Sequence, residues 1–216
     1  MEREKYDSSL WDLEKMLERE YKALERLLED TKYTPEDMIK EERVMFCRDS
    51  NGYLRVQGLD LNNYKVLPGS YTPELDEVPS DELDIKPKNY RYLGKFEKLE
   101  SLTLKGQNLG RKKVDYSFFE KLPNLNELNL MYNELSNKDF TKIAEHLDLS
   151  KLRYLELEGN KIDAPTILGV IRKGVMGGKG YNIEIVFGGD PISPNSIKMN
   201  IKPKAKIIRV SKSNEE

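Results

Sequence analysis

The sequence predicts an α/β fold built by stacking: a curved parallel β-sheet with helices on its convex side, closed at the amino end by a helical cap. Three observations predict it. The segments LESLTLKGQNL (99–109), LNELNLMYNEL (125–135) and LRYLELEGNKI (152–162) align without gaps. One-sided apolar stripes of helical period fall between them, and a long amphipathic stretch precedes them.

In chain order, the first element is that stretch, residues 3–30. Tyr6, Leu10, Leu13, Leu17, Tyr21, Leu24 and Leu28 recur at gaps of 4, 3, 4, 4, 3 and 4, close to the period of a straight helix. A strict heptad would put Glu20 in its seam, which argues against a long coiled coil. Thr34-Pro35-Glu36-Asp37 starts a second helix through about Arg43. Val44–Arg48 and Tyr53–Gln57 flank Asn51-Gly52, a hairpin signal. VQGLDLNNYKV (56–66) then matches the aligned segments imperfectly, with Val56, Leu59, Leu61 and Val66 in register and Tyr64 where Asn or Gln stands elsewhere. The interval from Val56 to Leu99 is 43 residues, against 26 and 27 between the later segments. Its surplus, 68–90, holds four prolines, and Glu74, Asp76, Glu77, Asp81, Glu82 and Asp84 carry six carboxylates without a cation among 74–84. That composition reads as a loop insertion.

Each aligned segment has Leu at positions 1, 4 and 6 and an aliphatic residue at position 11. Positions 4 and 6 alternate along a strand, so Leu102 and Leu104, Leu128 and Leu130, and Leu155 and Leu157 point inward in pairs. Position 9 carries Gln107, Asn133 and Asn160. An inward amide there can bond turn backbone of its own unit and the next, because buried backbone groups need partners. Parallel strands need a returning connection. Ser136-Asn-Lys-Asp139 is a capping-box variant, followed by Phe140, Ile143, Ala144 and Leu147. Asp163 and Pro165 suit a second helix start, with Ile167, Leu168, Ile171 and Val175 inward and Gly174 near its stop. Residues 114–122 form a shorter helix. NIEIVFGGDPI (182–192) supplies a degenerate last copy, with Asp190 at position 9. The strands at 56–61, 102–104, 128–130, 155–157 and 185–187 are therefore expected side by side, parallel, in chain order. At the carboxyl end Ile197, Met199 and Ile201 alternate with Lys198, Asn200 and Lys202, a half-buried strand whose lysines protect an edge.

These segments resemble the leucine-rich repeat family, whose consensus is L-x-x-L-x-L-x-x-N-x-L, over roughly residues 51–192. Spacings of 26 to 30 with helical returns are similar to the ribonuclease-inhibitor-like end of that family, and the Asn-Gly turn running into the first copy looks like the lead-in of small prokaryotic members. The resemblance implies a solenoid domain at 51–216, with the acidic, proline-rich insertion at 68–90 and a strand-like cap at 193–216, preceded by a helical capping segment at 1–50. It implies protein–protein recognition through exposed strand positions on the concave face. The partner-binding candidates are Asn129, Met131, Tyr132, Arg153, Tyr154, Glu156 and Glu158, since aromatic, Met and Arg side chains are enriched in interface hot spots. Tyr132 and Tyr154 are expected to form one apolar island. The surrounding carboxylates suit a partner that is neutral to basic at the contact.

Composition bounds the rest. Lys+Arg 36 against Asp+Glu 38 gives a formal charge of −2, which excludes general nucleic-acid binding. No apolar run approaches a membrane span, and the charged amino terminus is unlike a signal peptide. One cysteine, Cys47, fits a reducing compartment and reads as a small buried hydrophobe. A cytoplasmic chain, monomer rather than homo-oligomer, is the expectation. His146 is the one histidine, and spacing suggests no nucleophile–base pair. Gly177-Gly178-Lys179-Gly180 lacks the residues of a phosphate loop. No catalytic residue, cofactor or metal site is expected. The alternatives are an oligomer assembled through the amino-terminal helix, and a regulator of an enzyme such as a GTPase.

Overall fold

A computed structural model describes residues 18–66, 77–80, 82–176, 181–187 and 195–201. The chain is α/β. Two helices, α1 (Glu18–Leu28) and α2 (Pro35–Lys40), precede β1 (Val44–Arg48) and β2 (Leu54–Asp60). A small hairpin, β3 (Tyr64–Val66) with β4 (Glu77–Pro79), and a 3-10 helix (Pro87–Lys95) follow. Then come β5 (Ser101–Thr103), a second 3-10 helix (Tyr116–Lys121), β6 (Glu127–Asn129), α3 (Asn137–His146), β7 (Tyr154–Glu156), α4 (Ala164–Met176), β8 (Tyr181–Phe187) and β9 (Asn195–Ile201). The main sheet has the order β1-β2-β5-β6-β7-β8-β9. From β2 to β8 every pairing is parallel and in chain order, as expected. The outer strands β1 and β9 pair antiparallel to their neighbours.

Register explains the sheet. Leu59, Leu102, Leu128, Leu155 and Ile185 are successive Cα partners and form one buried row. Leu61, Leu104, Leu130 and Leu157 form a second buried row. A one-residue slip would turn these side chains to the solvent face, so the pattern pins the register. Burying each Leu contributes about 1.5–3 kcal/mol. Phe140 and Ile143 of α3, and Ile167 and Ile171 of α4, close the same core from the returning side. The capping box at α3 is formed: Ser136 accepts from the Asp139 backbone, and Asp139 accepts from the Ser136 backbone. Residues 116–121 wind as a 3-10 helix rather than an α-helix, with Tyr116, Phe118 and Phe119 buried. In α4, Asp163 Oδ1 caps the Thr166 N–H at 2.8 Å.

The position-9 amides form a ladder. Asn133 donates to the carbonyls of Leu104, Leu130 and Met131 and accepts from the Leu109 N–H. Asn160 accepts from the Asn133 and Leu135 N–H groups and donates to Leu130 and Leu157. Each side chain thus ties its own turn to the preceding unit, not to the next one as the sequence reading had it. The reason is direction: parallel stacking presents the earlier turn's open carbonyls and amides to the later strand's inward amide.

The first unit corrects the sequence reading. Its position-11 residue is Ile85, not Val66, which lies in β3. Ile85 is fully buried, and its N–H donates to Gln107 Oε1, as the Leu135 N–H does to Asn160. The chain therefore leaves the unit after Asn63 and rejoins it at Leu83. From Ile85 to Leu99, Leu109 to Leu125 and Leu135 to Leu152 are 14, 16 and 17 residues, comparable returns. The stretch 68–90 is not a loop throughout: β4 pairs with β3, and Leu83, Ile85 and Tyr90 join the core. Asp84 binds Lys112 at 2.6 Å and Lys86 at 3.2 Å, anchoring the rejoining point.

At the amino end, α1 buries Ala23, Leu24, Leu27 and Leu28 in the main core. Glu20, fully buried, receives the Arg55 Nε at 2.8 Å and the Val56 N–H at 2.9 Å. Val56 precedes the residues of β2 that pair with β5, so its amide would otherwise lack a partner. Arg55 Nη2 lies 2.8 Å from Glu20 Oε1 without hydrogen-bond alignment, and Asp49 completes the cluster at 3.4 Å from Nη1. Residues 3–17 of the expected helix, the 188–192 part of the last copy, and 202–216 lie outside the described residues. Among the described residues no helix is long and apolar enough to cross a membrane.

Candidate functional site

Opposite the Leu rows, each parallel strand turns two side chains outward. In register they read Gly58, Ser101, Glu127, Tyr154, Glu184 and then Asp60, Thr103, Asn129, Glu156, Val186. Short strands and returning helices confined to the inner side leave this outer face exposed or half-buried, except at Gly58, which is buried. Met45, 54% exposed, lies across Gly58 at one end of the face.

At the centre, Glu156 accepts from Asn129 Nδ2 at 2.5 Å and from the Tyr154 hydroxyl at 3.2 Å. Burial pushes the Glu156 carboxyl up, partly offset by the Tyr154 hydrogen bond and by Lys105. The Tyr154 phenol is pushed up to about 12 by burial, by the Glu156 charge and by their hydrogen bond.

The rim along the carboxyl ends of the strands is aromatic. Position 8 is left-handed in three successive units: Gly106, Tyr132 and Gly159 have φ of 70°, 52° and 67°. Glycine takes that conformation freely, whereas a residue with a side chain is strained in it. Tyr132 lies over Gly159, where an added Cβ would meet the ring at 2.1 Å, and Tyr64 lies over Gly106 in the same way. The two rings meet at a centroid distance of 5.4 Å, and Lys105 Nζ stands 5.5 Å from each.

Of the residues singled out from sequence, Asn129, Tyr154 and Glu156 come together; Met131 and Tyr132 are half-buried at the rim, and Arg153 is exposed beside the face. Glu158 does not belong with them. It is 7% exposed, with its carbonyl accepting from the Tyr132 and Asn160 nitrogens, because the chain is already turning over the strand ends there. Tyr132 pairs with Tyr64, not with Tyr154. Strands about 4.8 Å apart do bring neighbours together, but positions 8 and 3 are offset by five residues, about 16 Å along the strand. Sequence reasoning missed Tyr64 and the bridging role of Lys105. The signal was present as an aromatic residue one unit before a position-8 glycine, at Tyr64/Gly106 and Tyr132/Gly159.

Elsewhere, a cleft of about 620 Å³ at the amino-terminal end of the sheet is lined by Cys47, Arg55, Gln57, Lys98 and Glu100, among others. Burial raises the Cys47 thiol further from its reactive form. His146 contacts Glu120 at 2.6 Å and links α3 to the second 3-10 helix. Among the described residues no group of three His, Cys, Asp or Glu side chains could hold a metal ion.

Compared with family models, curated proteins and solved structures, the chain matches none.

Proposed function

We propose that the chain is a leucine-rich repeat solenoid acting in the cytoplasm as a non-enzymatic protein–protein interaction module, its partner bound on the outer, concave face of the sheet. The observation that carries this reading is the outer face itself: a run of parallel strands presenting two rows of side chains, rimmed by Tyr64, Lys105 and Tyr132. The in-register Leu rows and the Gln107–Asn133–Asn160 ladder support the repeat assignment. The burial of α1 against Arg55 and the core supports a cap rather than a helix that docks copies together, and so favours a monomer. The test is affinity capture from a native lysate followed by binding measurements on the captured partner. Tyr132→Ala and Tyr154→Ala should each weaken binding by about 1–3 kcal/mol. A partner whose affinity ignores both substitutions would move the site off this face, to the acidic 74–84 stretch first.

A further inference from the structure

We infer that the outer face receives an arginine- or lysine-bearing segment of a partner protein, one cationic side chain lying over Tyr154 among Glu127, Glu156 and Glu184. The inference rests on the face being a protein-binding surface and adds the chemistry of what it binds.

The register builds the seat. Glu127 is the strand partner of Tyr154 on one side and Glu184 on the other. Glu156, two residues along β7, projects to the same side and is joined to the phenol. One aromatic ring therefore has carboxylates on three sides. A cation over a tyrosine face is attracted by the ring, and more strongly where water is partly excluded. Glu156 is half-buried, and the groups bonded to it, the Asn129 amide and the Tyr154 hydroxyl, are neutral. An arriving guanidinium would fork onto that carboxylate and stack on the phenol, which an ammonium does less well.

A single small amine fits the arrangement poorly. The acidic positions spread over three adjacent strands at about 4.8 Å each. Reading all of them takes a polypeptide that carries several cations. Lys105, held between the two rim rings, already brings one positive charge near Glu156.

The test uses the full chain and a short fluorescein-labelled peptide of alternating arginine and serine, followed by anisotropy at low and at physiological salt. Glu156→Gln should weaken binding at least about tenfold. Tyr154→Leu should weaken it about threefold to fivefold, and Tyr154→Phe should keep it. Glu145→Gln, an equal charge change on exposed α3, should alter it less than about twofold. Equal losses for Glu145→Gln and Glu156→Gln, or no peptide binding at all, overturn the inference. In either case a captured partner still lost on Tyr132→Ala leaves the face as the binding surface, so the two readings fail separately. Lys198 is already the strand partner of Glu184, and the chain carries a further basic run after it, Lys202, Lys204, Lys206, Arg209 and Lys212. Light scattering of the chain alone addresses it: a salt-sensitive dimer lost in Glu156→Gln would make the occupant a second copy and overturn the assignment to a separate partner.

Discussion

The first unit and the two middle units solve one problem differently. In the middle units a single Asn at position 9 closes the turn, bonding its own carbonyls and the preceding unit's backbone. In the first unit the same turn is opened by an excursion from Tyr64 to Glu82, and three groups share the closure. Asn63 Oδ1 takes the Leu83 N–H, Gln107 takes the Ile85 N–H and donates to Leu61 and Leu83, and the Tyr90 hydroxyl donates to Gln107. Glutamine is one methylene longer than asparagine, and Gln107 uses that reach to bond Leu61, Leu83 and Ile85 across the interrupted turn. A unit is thus defined by where its buried backbone is satisfied, and its spacing in the sequence can vary around that.

The comparison can be broken at its largest expected effect. Leu128→Ala in a middle unit and Ile85→Ala in the first should each cost about 2–5 kcal/mol in denaturant unfolding, since both are fully buried. If Ile85→Ala costs under about 0.5 kcal/mol, residues 68–90 are a loop after all and the first unit closes elsewhere. Next in size, Asn133→Ala should cost about 1–3 kcal/mol by leaving backbone groups unsatisfied. Gln107→Asn, harmless if the two turns were equivalent, should cost about 1–2 kcal/mol through lost reach to Leu83 and Ile85.

The position-8 series sharpens the contrast further. Tyr132→Gly relieves a left-handed side-chain residue worth about 1–2 kcal/mol while deleting ring contacts of similar size. Thermal unfolding should therefore shift little, while affinity for the proposed partner falls by about 1–3 kcal/mol. A large loss of stability would show that the Tyr64–Tyr132 pair holds the excursion in place rather than serving as a rim.

The smallest effects are electrostatic and of opposite sign at Asp37 and Glu156. Hydrogen bonds from the Thr34 backbone and hydroxyl hold the Asp37 carboxyl below its usual range. Its contribution to stability is present above the ordinary carboxylate range near pH 4 and is lost as pH falls through the depressed value. Burial raises the Glu156 carboxyl, so the folded state is penalised at neutral pH and relieved as pH falls toward about 4. Glu156→Gln should accordingly hold or raise the melting temperature at pH 7, with the difference closing toward pH 4. A lower melting temperature at pH 7 would mean the carboxylate is stabilising.

The amino-acid sequence by itself determined the sheet. Leu at positions 4 and 6 of three ungapped segments sets which residues pair and which face is buried, because period-two alternation and parallel stacking leave one register that buries them. It also determined α3, whose Ser136–Asp139 box and apolar stripe lie within a dozen residues of one another. Only the tertiary structure decided that Asn63 and Ile85 belong to one turn, that Glu20 answers Arg55, that Tyr64 meets Tyr132, and that Glu158 is buried. Those contacts join residues from different units or across the excursion, and no local period records them. What places such groups together is the need to satisfy buried charge and backbone once the Leu rows have packed.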